Sequence, residues 1–189
     1  RSRRLEHVLS VGCGAGQFEL LLAGHVGRIT AIDLSPDAIQ AAKSAAQRAG
    51  IVNVEFRCLP LADAGWDATF DAVVCLAFLH HVYPPDLPGF LAQAHACLRP
   101  GGLFFAHDPN RRGILRKVGR LVLGRRYDTY HTADERELDP EDIRNQLLGA
   151  GFDRVDIGCL DSTLIPAMYL LARWPAFPLY GCLAIDWIW

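Results

Sequence analysis

The feature that most constrains this chain is the run Val8–Phe18, VLSVGCGAGQF, where a short apolar segment runs into Gly12, Gly14 and Gly16. Apolar residues that stop at alternating glycines describe a strand ending in a tight turn, with a helix restarting just beyond it. Glycine tolerates left-handed backbone and lets a ligand approach the main chain with no Cβ in the way. A helix that opens on such a turn points its first N–H groups at that ligand. The next apolar run to end in an acid is ITAID, and Asp33 lies 17 residues past Gly16. At the tip of the neighbouring strand, its carboxylate can accept hydrogen bonds from the vicinal hydroxyls of a ribose.

The glycine spacing narrows the ligand. A dinucleotide-binding turn, G-x-G-x-x-G, places its third glycine at position 17. That position is Gln17, and the third glycine comes one residue early at Gly16. The spacing disfavours NAD or FAD and favours S-adenosylmethionine, which has no pyrophosphate to cradle. A ligand-free glycine turn is the bland alternative, and the downstream Asp33 argues against it.

Strand and helix signals alternate along the chain. Strands are expected at Glu6–Val11, Arg28–Asp33, Val52–Arg57, Phe70–Leu76, Leu103–His107 and Phe152–Leu160. Helices are expected at Gly16–Ala23, Asp37–Ala49, Leu87–Leu98 and Pro140–Leu148. Ser35-Pro36 supplies an N-cap and a first-turn proline, and Gly50 a C-cap. The DAVVCLA run of the fourth strand is apolar on both faces, as a central parallel strand requires. Such alternation predicts an α/β fold with a doubly wound, mainly parallel, Rossmann-like sheet.

At 189 residues the chain suits one α/β domain, and 51% hydrophobic with 21% charged residues marks it as globular. A net charge of −2 creates no field that recruits nucleic acid. Cys13, Cys58, Cys75, Cys97, Cys159 and Cys182 are scattered without a C-x-x-C pair. They read as small apolar residues of a reducing compartment, and hence of a cytoplasmic protein. No metal-type Cys/His spacing and no 18-residue uncharged apolar run is present. The abrupt ends at Arg1 and Trp189 suggest a fragment.

With these pieces in place, the chain resembles the class I S-adenosylmethionine-dependent methyltransferases, in particular the small-molecule branch related to the ubiquinone and menaquinone methyltransferases. The resemblance covers about Leu5–Leu160. It is carried by VLSVGCGAG (8–16), AIDLSPDAIQAAK (31–43), FDAVVCLAFLHHV (70–82), LRPGGLF (98–104) and PEDIRNQLLGAGF (140–152). It implies that Gly12, Cys13 and Gly14, with Gly16 closing the turn, line the methionine end of the cofactor. Asp33 would then bind the ribose, Leu34 would pack on the adenine, and Leu76 and Ala77 would offer backbone groups near the methionine amine. Two positions depart from the family pattern. Ser10 stands where an acid is common, and Cys58-Leu59 stands where an Asp-Ala pair flanks the adenine. The family's seventh strand has no clear candidate, because Met168–Ala172 is short and close to Pro166.

Methyl transfer is an in-line displacement in which the cofactor carries the reactivity and the protein supplies orientation. A base is required only for a protonated acceptor. His81 and His80, just past the expected fourth strand, and His107, ending the fifth with Asp108, are the catalytic candidates, with Tyr127, Tyr130 and His131 in the loop beyond. A lone histidine near a helix start is as readily structural. A metal held by His80, His81 and Asp86 is disfavoured, since adjacent histidines seldom converge on one ion. The methyltransferase domain is expected over residues 1–162, with a basic amphipathic cap insertion at about 109–139. Residues 111–126 hold seven of the 19 basic residues at helical spacing with apolar ones. Residues 163–189 form an apolar, aromatic tail. Residues 111–126 and 164–189 read either as peripheral membrane contacts or as ordinary packing with a solvated basic face. The expected function is methyl transfer to a small, apolar or lipid-like acceptor, with no nucleic-acid partner. The alternative, resting on Ser10 and Cys58, is a cofactor-binding but non-catalytic partner domain.

Overall fold

The fifth of the expected strands leans on the fourth, and the fourth on the first, in a single parallel sheet. A computed structural model of the chain describes residues 4–109 and 138–158. Its strands are β1 (His7–Val11), β2 (Arg28–Asp33), β3 (Val54–Cys58), β4 (Phe70–Leu76) and β5 (Leu98–His107). Its helices are α1 (Gln17–Leu22), α2 (Pro36–Ala49), α3 (Leu87–Ala96) and α4 (Pro140–Gly149). The sheet order is β3-β2-β1-β4-β5 and each neighbouring pair is parallel.

Side-chain alternation along β1 and β4 builds two core layers. Leu9, Val11, Val73 and Cys75 face one side and pack with Leu87 and Leu91 of α3 and Leu147 of α4. Val8, Ala72 and Val74 face the other and pack with Ile39, Ala42 and Ala46 of α2. Every residue of β1 is buried, so both of its faces are covered. The α2 boundaries follow from its caps. Ser35 Oγ accepts from Ala38 N at 3.2 Å, and Gly50 takes φ +66° to close the helix.

Chain order reverses between β1 and β4, and in open α/β sheets ligands bind beyond the strand C-termini at such a point. The register brings Val11 level with Ile32 and Cys75, Asp33 level with Cys58, and Leu76 level with His107. One edge of the sheet thus collects the glycine turn, Asp33, Cys58 and the ends of β4 and β5. At the other end, Asp71 accepts from the N–H groups of Glu6 and His7 at 2.9 and 2.8 Å and pairs with Arg99 at 3.1 Å.

Two expectations need correction. The turn expected at Arg99–Gly102 is absorbed into β5, where Gly101 takes φ +73° and the register to β4 shifts between Phe70 and Ala72. No strand forms over residues 152–158. A strand exists through its ladder, and among the described residues β5 pairs with β4 alone. Phe152 and Val155 pack half-buried against the core all the same. The basic segment 111–126, the candidates Tyr127, Tyr130 and His131, Met168–Ala172, Cys159, Cys182 and the aromatic tail lie outside the described residues.

Candidate functional site

The three glycines of the turn all adopt left-handed backbone, with φ of +72°, +51° and +77° at Gly12, Gly14 and Gly16. Their surroundings differ. A Cβ on Gly16 would lie 2.8 Å from the Phe56 ring and 2.9 Å from Ala42, so this glycine lets the turn pack on α2 and β3. A Cβ on Gly12 would meet the Phe78 ring at 2.1 Å. A Cβ on Gly14 would meet nothing within 4 Å. Gly14 is therefore the glycine whose missing side chain leaves space open.

The amides of Gly12, Cys13, Gly14 and Gly16 are all engaged within the protein. Gly12 N and Cys13 N both donate to Ile32 O, at 2.9 and 3.1 Å, and Gly16 N donates to Cys13 O at 3.0 Å. Gly14 N donates to Asp33 Oδ2 at 2.8 Å. With these donors used inside the protein, the turn offers no nest for a pyrophosphate. Its carbonyls and its bare Cα positions are what a ligand would meet.

Asp33 is held on both oxygens, Oδ2 by Gly14 N and Oδ1 by Ser35 N at 2.9 Å. An ionised carboxylate has about four acceptor positions, so acceptor capacity remains for a diol. Beside it Leu34 is 68% exposed, an apolar face with room for a flat ring. Cys58 is exposed, and its Sγ donates to Leu34 O at 3.6 Å, closing that wall. Leu59 packs on the core below it. Leu76 ends β4, and Ala77 follows at φ +49°. The Ala77 N–H donates to His107 O at 2.8 Å, so a ligand contact from Ala77 falls to its carbonyl.

Sequence reasoning overlooked two residues here. Phe78 covers Gly12 and lies 5.3 Å from the Phe90 ring. Glu19, in the first turn of α1, is 2% exposed and accepts the Ser10 hydroxyl at 2.6 Å. The available signal was the charge inside the apolar run FELLLA, three residues after Gly16. Burial pushes the Glu19 carboxyl above its ordinary range, with Asp33 adding to the rise against the Ser10 hydrogen bond. Burial, then the charges of Glu19 and Asp33, push the Cys13 thiol up to about 12, so Cys13 stays protonated and is no nucleophile.

The three candidate histidines separate. His80 is buried and fixed by Asp108, whose Oδ1 takes the His80 N–H at 3.1 Å and contacts Nδ1 at 2.8 Å. The His81 ring is exposed and lies 4.0 Å from the His80 ring. His107 is exposed at the end of β5. Among the described residues no three His, Cys, Asp or Glu side chains are grouped to hold a metal ion, and no helix is long and apolar enough to cross a membrane.

Residues 8–102 match the family model described as "Methyltransferase domain". The chain belongs to that family. Its matched span runs from β1 into β5 and includes the glycine turn, Asp33 and the histidines at 80 and 81. This methyltransferase domain is 38% identical over 121 residues to a ubiquinone biosynthesis O-methyltransferase of Methylocella silvestris, covering 64% of this chain and 45% of that protein. It is 32% identical over 167 residues to the protein of that name in Xanthomonas axonopodis pv. citri, covering 82% and 68%. The chain thus spans between about half and two thirds of the length of these relatives. The fold matches that of a solved S-adenosylmethionine-dependent methyltransferase from Clostridium acetobutylicum, with a TM-score of 0.64 at 16% identity, over 82% of this chain and 76% of that one.

Proposed function

We propose that this methyltransferase domain binds S-adenosylmethionine at the β1 and β2 tips and methylates a hydroxyl of a small, apolar or lipid-like acceptor. The observation that carries the reading is the turn itself. Gly14 is open, its amide is tied to Asp33, and the neighbouring amides are turned inward. Such a turn suits a nucleoside with an amino-acid arm and not one with a phosphate chain. The residues fit that ligand. Asp33 keeps acceptor capacity for the ribose, exposed Leu34 with Cys58 and Leu59 offers an apolar wall for the adenine, and Gly14 admits the arm. When bound, the cofactor supplies a methyl group on a sulfonium.

The chain's own contribution is placement and a proton acceptor. Asp108 fixes the His80 ring by its Nδ1 side, which makes His80 a positioning residue. His81, exposed and in tilted contact with that ring, is the group available to take a hydroxyl proton as the acceptor oxygen becomes nucleophilic. The O-methyltransferase names of the two relatives support a hydroxyl acceptor. Exposed Tyr83 lies just past His81 and adds apolar surface on that side.

Calorimetric titration of the protein with S-adenosylmethionine, S-adenosylhomocysteine and NAD tests the reading. Micromolar binding of the first two, no binding of NAD, and a loss of at least about tenfold, roughly 1.4 kcal/mol, in Asp33→Ala are expected. Tight NAD binding, or no binding of either sulfur nucleoside, would overturn it. Turnover on a panel of phenols, hydroquinones and lipid hydroxyls then separates an enzyme from a non-catalytic binder.

A further inference from the structure

Glu19, a buried carboxylate in the first turn of the helix that follows the glycine turn, is left half unsatisfied by the described contacts. Its Oε1 takes the Ser10 hydroxyl, while Oε2 is buried with no hydrogen-bond partner. A buried carboxylate is costly unless it is paired with a cation or fully hydrogen-bonded. No cationic side chain of the described residues pairs with it, and the charge that acts on it comes from another acid, Asp33. A positive group from outside the chain would satisfy it. The turn above offers open space at Gly14, and α1 carries Glu19 from just behind that turn.

We propose that Glu19, seated by the Ser10 hydroxyl, is the anionic group that recognises the ammonium of the methionine arm of S-adenosylmethionine. This rests on the cofactor reading above. Ser10 is uncharged, so the first strand cannot itself provide the charge; α1 provides it instead. In a site shielded from water, charge acts over a few ångström with more effect than at the surface, so screening by solvent does not erase it. The Ser10–Glu19 hydrogen bond alone would brace the turn but would not discriminate between ligands with and without the amino-acid arm.

Titration of the protein and its variants with S-adenosylhomocysteine and with 5′-methylthioadenosine, which lacks the amino and carboxylate groups, separates these roles. Glu19→Gln keeps the shape and removes the charge. It is expected to weaken S-adenosylhomocysteine about tenfold or more while changing 5′-methylthioadenosine by less than about twofold. The double variant Ser10→Asp, Glu19→Ala, which moves the carboxylate to the strand, is expected to recover most of the lost affinity. Equal losses for both ligands, or no loss for either, would overturn the proposal, and Glu19→Gln alone decides it if the double variant does not fold. Failure of the unmodified protein to bind S-adenosylhomocysteine would instead defeat the cofactor reading on which it rests.

Discussion

Gly14 and Gly16 share a left-handed backbone but not a neighbourhood, and alanine at each position should fail in a different way. Placing a Cβ on left-handed backbone costs about 1–2 kcal/mol. At Gly14, with φ +51° and nothing within 4 Å, that strain is the whole stability cost. At Gly16, with φ +77°, the new methyl also meets the Phe56 ring at 2.8 Å and Ala42 at 2.9 Å. Phe56 and Ala42 are 4% and 0% exposed and have little room to retreat. Overpacking of this kind adds about 1–3 kcal/mol. Gly14→Ala should therefore lower the melting temperature by about 2–8 °C and Gly16→Ala by roughly twice as much, for a chain of this size. Ligand affinity should reverse the order. The Gly14 methyl enters the open space above the turn and should weaken S-adenosylhomocysteine by at least about tenfold. Thermal unfolding by circular dichroism, with calorimetric titration of the folded fraction, measures both quantities. A Gly14→Ala protein that loses stability like Gly16→Ala yet binds normally would refute the assignment of the open side to the ligand.

Burial, with Arg28 and Arg99 nearby, holds the His7 imidazole down to about 4 against an ordinary 6.5. The unfolded chain therefore takes up this proton first as pH falls. The associated stability, on the order of 3 kcal/mol, is whole above pH 6.5 and fades toward pH 4. Denaturant melts of His7→Gln across that window should show a flatter pH dependence than those of the unmodified protein. Asp108→Asn should lower kcat by about tenfold or more, with cofactor affinity unchanged, because it frees the ring on which His81 rests. Parallel loss of cofactor binding would point to a structural role instead. Ser35→Ala removes the cap on α2 and should cost about 1 kcal/mol in chemical denaturation.

The parts of the fold that were legible in the sequence are those fixed by local chemistry. β2 and β4 stand at the expected residues because apolar runs bounded by turn signals define buried parallel strands. The Ser35-Pro36 and Gly50 caps fixed α2 to within a residue. What depended on distant neighbours was less legible. Arg99–Gly102 became an irregular excursion inside β5, because Leu98 and Leu103 on either side of it pair with Phe70 and Ala72 of β4, while Phe152–Gly158 found no ladder. In the site, Asp33 could be read from its place at a strand end. The inward turn of the amides at Gly12 and Cys13 could not, because the Ile32 carbonyl that receives them lies on another strand. The His80–Asp108 pair joins the ends of two strands and has no local signature, whereas Glu19 stood out locally as a charge in an apolar run but its Ser10 partner lies on β1.

The double hold on Asp33 changes what a mutation there would mean. Its oxygens tie the Gly14 amide on one side and the Ser35 amide on the other, so the carboxylate keeps the turn and the start of α2 in place before any ligand arrives. Binding then proceeds to a preorganised surface and spends little on ordering it. Removing the carboxylate would impose that ordering cost on the ligand as well as deleting contacts to it. The affinity lost in Asp33→Ala is thus a sum of two effects. A ligand lacking the ribose diol would still register the ordering part, and so would measure it separately.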